Sequence, residues 1–262
     1  MGERLSLGYF LDIQGTLLSD KDKSLINGAL ELVEYFNKNS IAYTFVTNNT
    51  KQLSEELIEE LHKKGFSFPN ERFIDPLMVL KSLVGKDSIY PFGSEAFCTL
   101  CEKMGLKISQ NPDAILVASH DKFDSKSFAR MIDFVLDGAR LIGMHGTSTY
   151  VKNALRYPGV GAILAMIEYA TKTKAQIVGK PSEVFYKKAY EIVKKQNPSL
   201  DLKDIIMISD DAIGDLLGAK KMGIRTNLVL SGKCKSRQEI SQISHKLDKI
   251  DSDVNEILKG LK

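Results

Sequence analysis

Apolar residues along this chain follow two alternating rhythms. Short runs rich in aromatic and β-branched residues, Tyr9 to Leu11, Ile41 to Val46, Ser88 to Phe92, Ala114 to Ser119, Arg140 to Met144, Gln176 to Val178, Asp204 to Ile208 and Thr226 to Leu230, predict strands. Between them, Leu25, Ala29, Leu32, Val33 and Phe36 recur at helical spacing and predict an amphipathic helix over 25–38. Similar spacing predicts helices over 54–64, 76–83, 95–104, 125–136, 162–172, 184–195 and 216–222, with Ser54 as an N-cap and Gly65 and Gly223 as stops. The segments 68–73 and 145–161 read as loops, the second with a turn at Tyr157-Pro158-Gly159, and Gly85-Lys86-Asp87 reads as a joint.

Strands that alternate with helices build parallel sheets. The expected fold is therefore α/β, with a second α/β series beginning after the joint at 85–87. No fixed repeat or low-complexity segment suggests a solenoid.

Composition narrows the function classes. A chain of 262 residues, 43% hydrophobic and 26% charged, has room for a large core. No apolar run approaches the roughly 18 residues that span a bilayer, and Met1 to Ser6 carry no apolar signal core. A net charge of +3 is too balanced to imply nucleic acid, and the basic tail 233–262 reads as a solvated helix face. Three cysteines do not make a disulfide framework. The expected location is cytoplasmic, with no membrane partner. Cys98 and Cys101 fall within an expected helix, where packing explains them.

The chemistry gathers where strands end. Four apolar runs stop at Asp12, at Thr47, just before Lys180, and at Asp210-Asp211. In an open parallel sheet, residues beyond the carboxyl ends of the strands share one crevice. Carboxylates, a hydroxyl and an ammonium in one crevice suit a divalent cation with a phosphate. Asp12, Asp210 and a backbone carbonyl offer hard oxygen ligands to Mg²⁺, Thr47 and neighbouring amides receive the phosphate, and Lys180 neutralises charge. Gly15 lets the backbone approach closely.

At these places the chain resembles the haloacid dehalogenase superfamily of aspartyl-phosphate hydrolases. Asp12-Ile13-Gln14-Gly15-Thr16 is similar to its first motif, Val46-Thr47-Asn48-Asn49 to its second, Gly179-Lys180-Pro181 to its third, and Asp210-Asp211 with Asp215 to its fourth. The insert between the second and third motifs, with Gly138 to Ile142, Pro158 to Ala162 and Gly179 to Ser182, resembles the NagD-like and p-nitrophenyl-phosphatase branch with the larger cap, and implies a Rossmann-like parallel-sheet core made from 1–79 and 176–262 with an α/β cap domain, 80–175, inserted between. The resemblance implies that Asp12 attacks phosphorus and becomes a phosphoaspartate. It implies that Thr47, Asn48 and Asn49 bind the phosphoryl group and that Lys180 pairs with nucleophile and phosphate. Asp210 and the carbonyl of Gln14 would ligate Mg²⁺, Asp211 would do so directly or through water, and Asp215 would support Lys180 or the metal shell. The implied substrate is a small phosphorylated metabolite, with a homodimer as a possible assembly.

One position departs from the family. The residue two after the nucleophile is usually an aspartate that protonates the leaving oxygen and then activates water; here it is Gln14. General acid–base catalysis is worth about 10²–10⁴-fold. A slow or specialised phosphatase, suited to good leaving groups, is the expected activity, and a phosphate-binding protein with negligible turnover is the alternative.

Other polar residues carry plainer readings. His145 and Thr147 lie where a cap loop would meet a leaving group, although an ordinary loop role suits His145 and His120. Asp20 and Asp22 read as a solvated loop, and Asp215 also suits a helix N-terminus. A dinucleotide-binding protein would need a Gly-rich turn after the first strand, whereas Gly15 stands alone. A receiver-like signalling domain needs no cap.

Overall fold

The computed structural model describes residues 7–152 and 155–262; Met1 to Ser6, and Asn153 and Ala154 of the expected 145–161 loop, lie outside the described residues. In chain order the first elements are β1 (Gly8–Asp12), α1 (Ala29–Lys38), β2 (Ala42–Val46), α2 (Ser54–Lys63), β3 (Phe73–Ile74) and α3 (Pro76–Val84). There follow β4 (Ser88–Phe92), α4 (Glu95–Lys103), β5 (Lys107–Ile108), β6 (Ala114–Val117), α5 (Ser125–Leu136), β7 (Arg140–Gly143), β8 (Thr149–Lys152), β9 (Leu155–Pro158) and α6 (Val160–Thr171). The chain closes with β10 (Gln176–Ile177), α7 (Glu183–Gln196), β11 (Ile205–Ser209), α8 (Leu217–Lys221), β12 (Arg225–Val229), β13 (Lys249–Asp251) and α9 (Val254–Leu261).

Two compact units result. The first comprises Met1–Thr47, Glu55–Ile74 and Tyr186–Lys262; the second comprises Asn48–Ser54 and Asp75–Phe185. Among the described residues, the first unit holds a six-stranded sheet in the order β13-β12-β11-β1-β2-β3, every neighbouring pair parallel. β1 and β2 are buried throughout, as a parallel strand covered on both faces requires. Tyr9 and Leu11 join the core formed with α1, α2 and α9, and Tyr9 stacks on Phe36 at 4.5 Å. Phe10, pointing to the opposite face, lies parallel to Tyr186 of α7 at 6.3 Å.

The second unit has its own five-stranded parallel sheet among the described residues, β10-β7-β6-β4-β5. Its core is built from Ile115, Val117, Leu141, Ile163, Leu164 and Ile167 with their neighbours.

Three expectations need correction. The run 176–178 does not join the sheet of β1: Gln176 and Ile177 pair with Ile142 and Gly143 of β7, so the Lys180 strand belongs to the second sheet. The 145–161 segment is not all loop, because β8 and β9 form an antiparallel hairpin with Tyr150 stacked on Tyr157 at 5.5 Å. Nor is the tail one solvated helix face. β13 adds a strand to the first sheet, and α9 buries Val254, Ile257 and Leu258.

Candidate active site

β1 and β11 are adjacent and parallel, so their carboxyl ends bring Asp12 and Asp210 together although about three quarters of the chain separates them. Both are buried. The turn after β1 tightens at once: Leu17 and Leu18 donate backbone hydrogen bonds to the carbonyl of Ile13 at 2.9 Å, and Gly15 takes a φ of 74°. That left-handed conformation favours glycine. The turn aims the Thr16 hydroxyl back into the site, where it donates to Asp12 Oδ2 at 3.1 Å and accepts from the Asp210 backbone N–H at 3.1 Å.

Asp210 is enclosed by backbone. Its Oδ2 accepts the N–H of Lys233 at 2.6 Å, and a Cβ at either Gly15 or Gly232 would overlap its carboxylate. The Ser231 hydroxyl donates to the carbonyl of Gly15 at 2.7 Å, which closes the ring. Burial first, and the Asp12 carboxylate second, push the Asp210 carboxyl up to about 8 against the Lys233 amide bond. A neighbouring carboxylate makes a buried carboxyl costlier to ionise in this way.

Around them, a π turn over Ala212–Leu216 shapes the loop after β11, a local widening often found at functional sites. Asp211 Oδ1 accepts from Gly214 N–H at 2.7 Å, and the Lys233 ammonium pairs with Asp211 Oδ2. The Ser209 hydroxyl donates to Asp215 at 2.7 Å and accepts from Asp211 N–H at 3.1 Å. Tyr186 donates its hydroxyl to the Asp215 carbonyl at 2.9 Å; burial, then Asp215, Asp12 and Asp211, hold its phenol well above the ordinary value. Thr47, buried beyond the end of β2, donates its backbone N–H to Ile74 at 3.3 Å. Gln14 is half-buried, and its side-chain oxygen accepts from the Lys23 ammonium.

The second unit gathers a different set. The Asn48 carboxamide meets the backbone of Lys180, which is itself buried. Asn49 donates to Asp75 Oδ2 at 3.2 Å and to the Gln52 carbonyl at 2.8 Å. His145, also buried, places Nε2 3.0 Å from the Ser119 hydroxyl, and Thr147 N–H points at its Nδ1 from 3.4 Å. The cysteines Cys98 and Cys101 are free, and burial pushes the Cys101 thiol up to about 12, which marks it as a packing residue.

The first unit thus unites Asp12, Gly15, Asp210, Asp211 and Asp215, while Asn48, Asn49 and Lys180 are gathered in the second. Sequence reasoning passed over Ser209, Ser231, Gly232 and Lys233. The signal for the last three was one more strand end, β12, followed by a polar loop, and for Ser209 its place as the last residue of β11.

Among the described residues no three His, Cys, Asp or Glu side chains form a ready-made metal cluster. Two buried carboxylates with backbone carbonyls nonetheless suit Mg²⁺, which binds through one or two carboxylates and keeps its other positions for water and phosphate oxygens. The raised Asp210 carboxyl shows the electrostatic cost that a cation at this place would relieve.

Two family models match the chain: haloacid dehalogenase-like hydrolase over residues 9–107 and HAD-like hydrolase over residues 177–257. The haloacid dehalogenase-like hydrolase domain-containing protein 2 of Bos taurus is 29% identical over 230 residues, covering 87% of this chain and 86% of that protein. An acid sugar phosphatase of Staphylococcus haemolyticus is 25% identical over 231 residues, covering 86% and 85%. In fold, the chain is similar to a p-nitrophenyl phosphatase from Archaeoglobus fulgidus, with a TM-score of 0.81 at 22% identity, over 97% of this chain and 99% of that one. Among the described residues, no helix is long and apolar enough to cross a membrane.

Proposed function

Because the chain belongs to the haloacid dehalogenase-like hydrolases, we propose that it is a Mg²⁺-dependent phosphatase of small phosphorylated metabolites. It works through a phosphoaspartate at Asp12. The observation that carries this reading is the buried pair Asp12 and Asp210, held on adjacent strand ends by the single hydroxyl of Thr16.

Asp12 attacks phosphorus, and Thr16 fixes the plane of its carboxylate by holding Oδ2. The Asp12 and Asp210 carboxylates and the Gln14 carbonyl would hold Mg²⁺, with Asp211 beside them. Bound there, the ion neutralises the carboxylates and the incoming phosphate, so that two anions can approach. Thr47 and the amides after it receive the phosphoryl oxygens, and Lys180 balances the charge that develops on them. Asp215 and Ser209 keep the loop after β11 in shape.

Gln14 decides which substrates react. Its carboxamide transfers no proton, so the leaving group departs unaided. Aryl and acyl phosphates, whose leaving groups are stable as anions, are the favoured substrates. His145 and Thr147 are proposed contacts for that leaving group.

A second reading, phosphate binding with negligible turnover, is favoured by one observation. With its oxygen taken by Lys23, Gln14 does not offer that acceptor to orient the water that must release the phosphoaspartate.

The test is turnover of p-nitrophenyl phosphate and acetyl phosphate with Mg²⁺, beside Asp12→Asn, and acid-quench trapping of phosphoprotein. Turnover that Asp12→Asn abolishes supports the phosphatase. Trapped phosphoprotein without turnover supports the second reading. Neither turnover nor phosphoprotein, in a protein that still binds Mg²⁺ and phosphate, sinks both covalent schemes.

A further inference from the structure

The Asn48 side chain makes two hydrogen bonds to one residue. Its Oδ1 accepts the backbone N–H of Lys180 at 2.8 Å, and its Nδ2 donates to the Lys180 carbonyl at 3.3 Å. A backbone N–H only donates and a carbonyl only accepts, so this pairing fixes which way the carboxamide faces. The arrangement copies the double exchange of a hydrogen-bonded pair in an antiparallel ladder, with a side chain replacing one strand.

Both sides of the clamp are themselves anchored. A Cβ on Gly179 would overlap Asn48 Oδ1 and the Met144 carbonyl, so glycine is what allows the approach. The Lys180 carbonyl also accepts from Gly146 N–H at 3.1 Å. On the other side, Asp75, fully buried at 0% exposure, collects Asn49 at 3.2 Å, the Ser54 hydroxyl at 2.8 Å and the Met78 N–H at 3.0 Å. Those bonds pin the 48–54 loop to the start of α3, and the loop presents Asn48.

We propose that Asn48 is a positioning residue that works through Lys180, holding that lysine's backbone so its ammonium meets the transferring phosphoryl group. This rests on the phosphatase reading above, in which Lys180 has that task. It assigns phosphate contact at position 48 to the backbone amide, because the carboxamide is occupied.

The test compares Asn48→Ala, Asn48→Asp, Lys180→Ala and the double variant Asn48→Ala/Lys180→Ala on p-nitrophenyl phosphate, with hydrogen exchange at the Lys180 amide as a readout independent of activity. A misplaced catalytic group costs up to about 100-fold. Asn48→Ala should therefore lower kcat about 10–100-fold while KM changes less than about 3-fold, and Lys180 N–H should exchange faster. The double variant should match Lys180→Ala within about 3-fold, because residues acting through one group are not additive. Asn48→Asp has the same shape and keeps the acceptor for Lys180 N–H, so it should fold, protect that amide and lose less turnover than Asn48→Ala.

A carboxamide that touched phosphate directly would reverse this order. Asn48→Asp would then be the worse variant, with a raised KM, and the two single losses would multiply; either result overturns the proposal. A wild type without turnover counts against the phosphatase reading, and the exchange measurement then decides the clamp. Unchanged exchange in Asn48→Ala overturns it.

Discussion

The side-chain oxygen of Gln14 accepts a hydrogen bond from the ammonium of Lys23. The residue that departs from the family pattern therefore has a cation at its tip. An aspartate introduced at position 14 would face the same cation, which favours its charged form and withholds the proton that a general acid must give. Gln14→Asp alone should improve turnover of alkyl phosphates little, whereas Gln14→Asp with Lys23→Ala should gain at least about 10-fold over it, within the range general acids supply. Steady-state kinetics on a poor leaving group decide the matter. If the single substitution already gives the full gain, Lys23 does not govern this position.

Gly232 carries no positive φ, yet a methyl group there would overlap the Asp210 carboxylate. Gly232→Ala is an overpacking substitution, of a kind that typically costs about 1–3 kcal/mol, and it should also weaken Mg²⁺ binding by displacing Asp210, a ligand in the reading proposed above. Urea midpoints and a Mg²⁺ titration test both parts. An unchanged midpoint with unchanged affinity would mean that the loop 231–233 yields without disturbing Asp210.

Asp75 lies outside the acidic cluster and gives a cleaner pH signal. Burial raises its carboxyl above the ordinary value, against the hydrogen bonds from Met78, Ser54 and Asn49 that lower it. A raised folded value means that the folded state holds a proton the unfolded state releases. This contribution to stability is complete below the unfolded value of about 3.9, and it is lost as pH rises through the folded value. Denaturation midpoints from pH 4 upward should show that loss, and Asp75→Asn should flatten it. An identical pH profile in both proteins would assign the slope to other groups.

Much of the fold was legible because its elements are locally consistent. β1 and β2 are unbroken apolar runs, and Asp12 and Asp210 stand where such runs stop. What escaped depends on distance or on mixed patterns. Nothing in Gln176-Ile177 says which sheet it joins, since a short apolar run carries no address. The β8–β9 hairpin alternates over only a few residues, and its expected turn signal at 157–159 lies at the end of β9, not between the strands. In the tail, Val254, Ile257, Leu258 and Leu261 do have helical spacing, but the surrounding charge suggested a solvated face. The Lys23 contact to Gln14 and the Asn48 contact to Lys180 obey no periodicity. They follow from how loops fold back, which pattern reading does not capture.

The position of β1 between β2 and β11 has a consequence in time. Gly8 pairs with Ile205, and the Tyr35 hydroxyl donates to the carbonyl of Leu261 at 2.6 Å. Such distant pairings form late, because long loops must close before they gain any contact. All strands of the second unit, by contrast, are contiguous in the chain. During refolding of the full protein, pulsed hydrogen exchange should find Ile115 to Val117 protected before Phe10 and Leu11; the opposite order would refute this. The strand that carries Asp12, the nucleophile in the reading proposed above, is made well before β11 and is secured only once that partner strand has arrived.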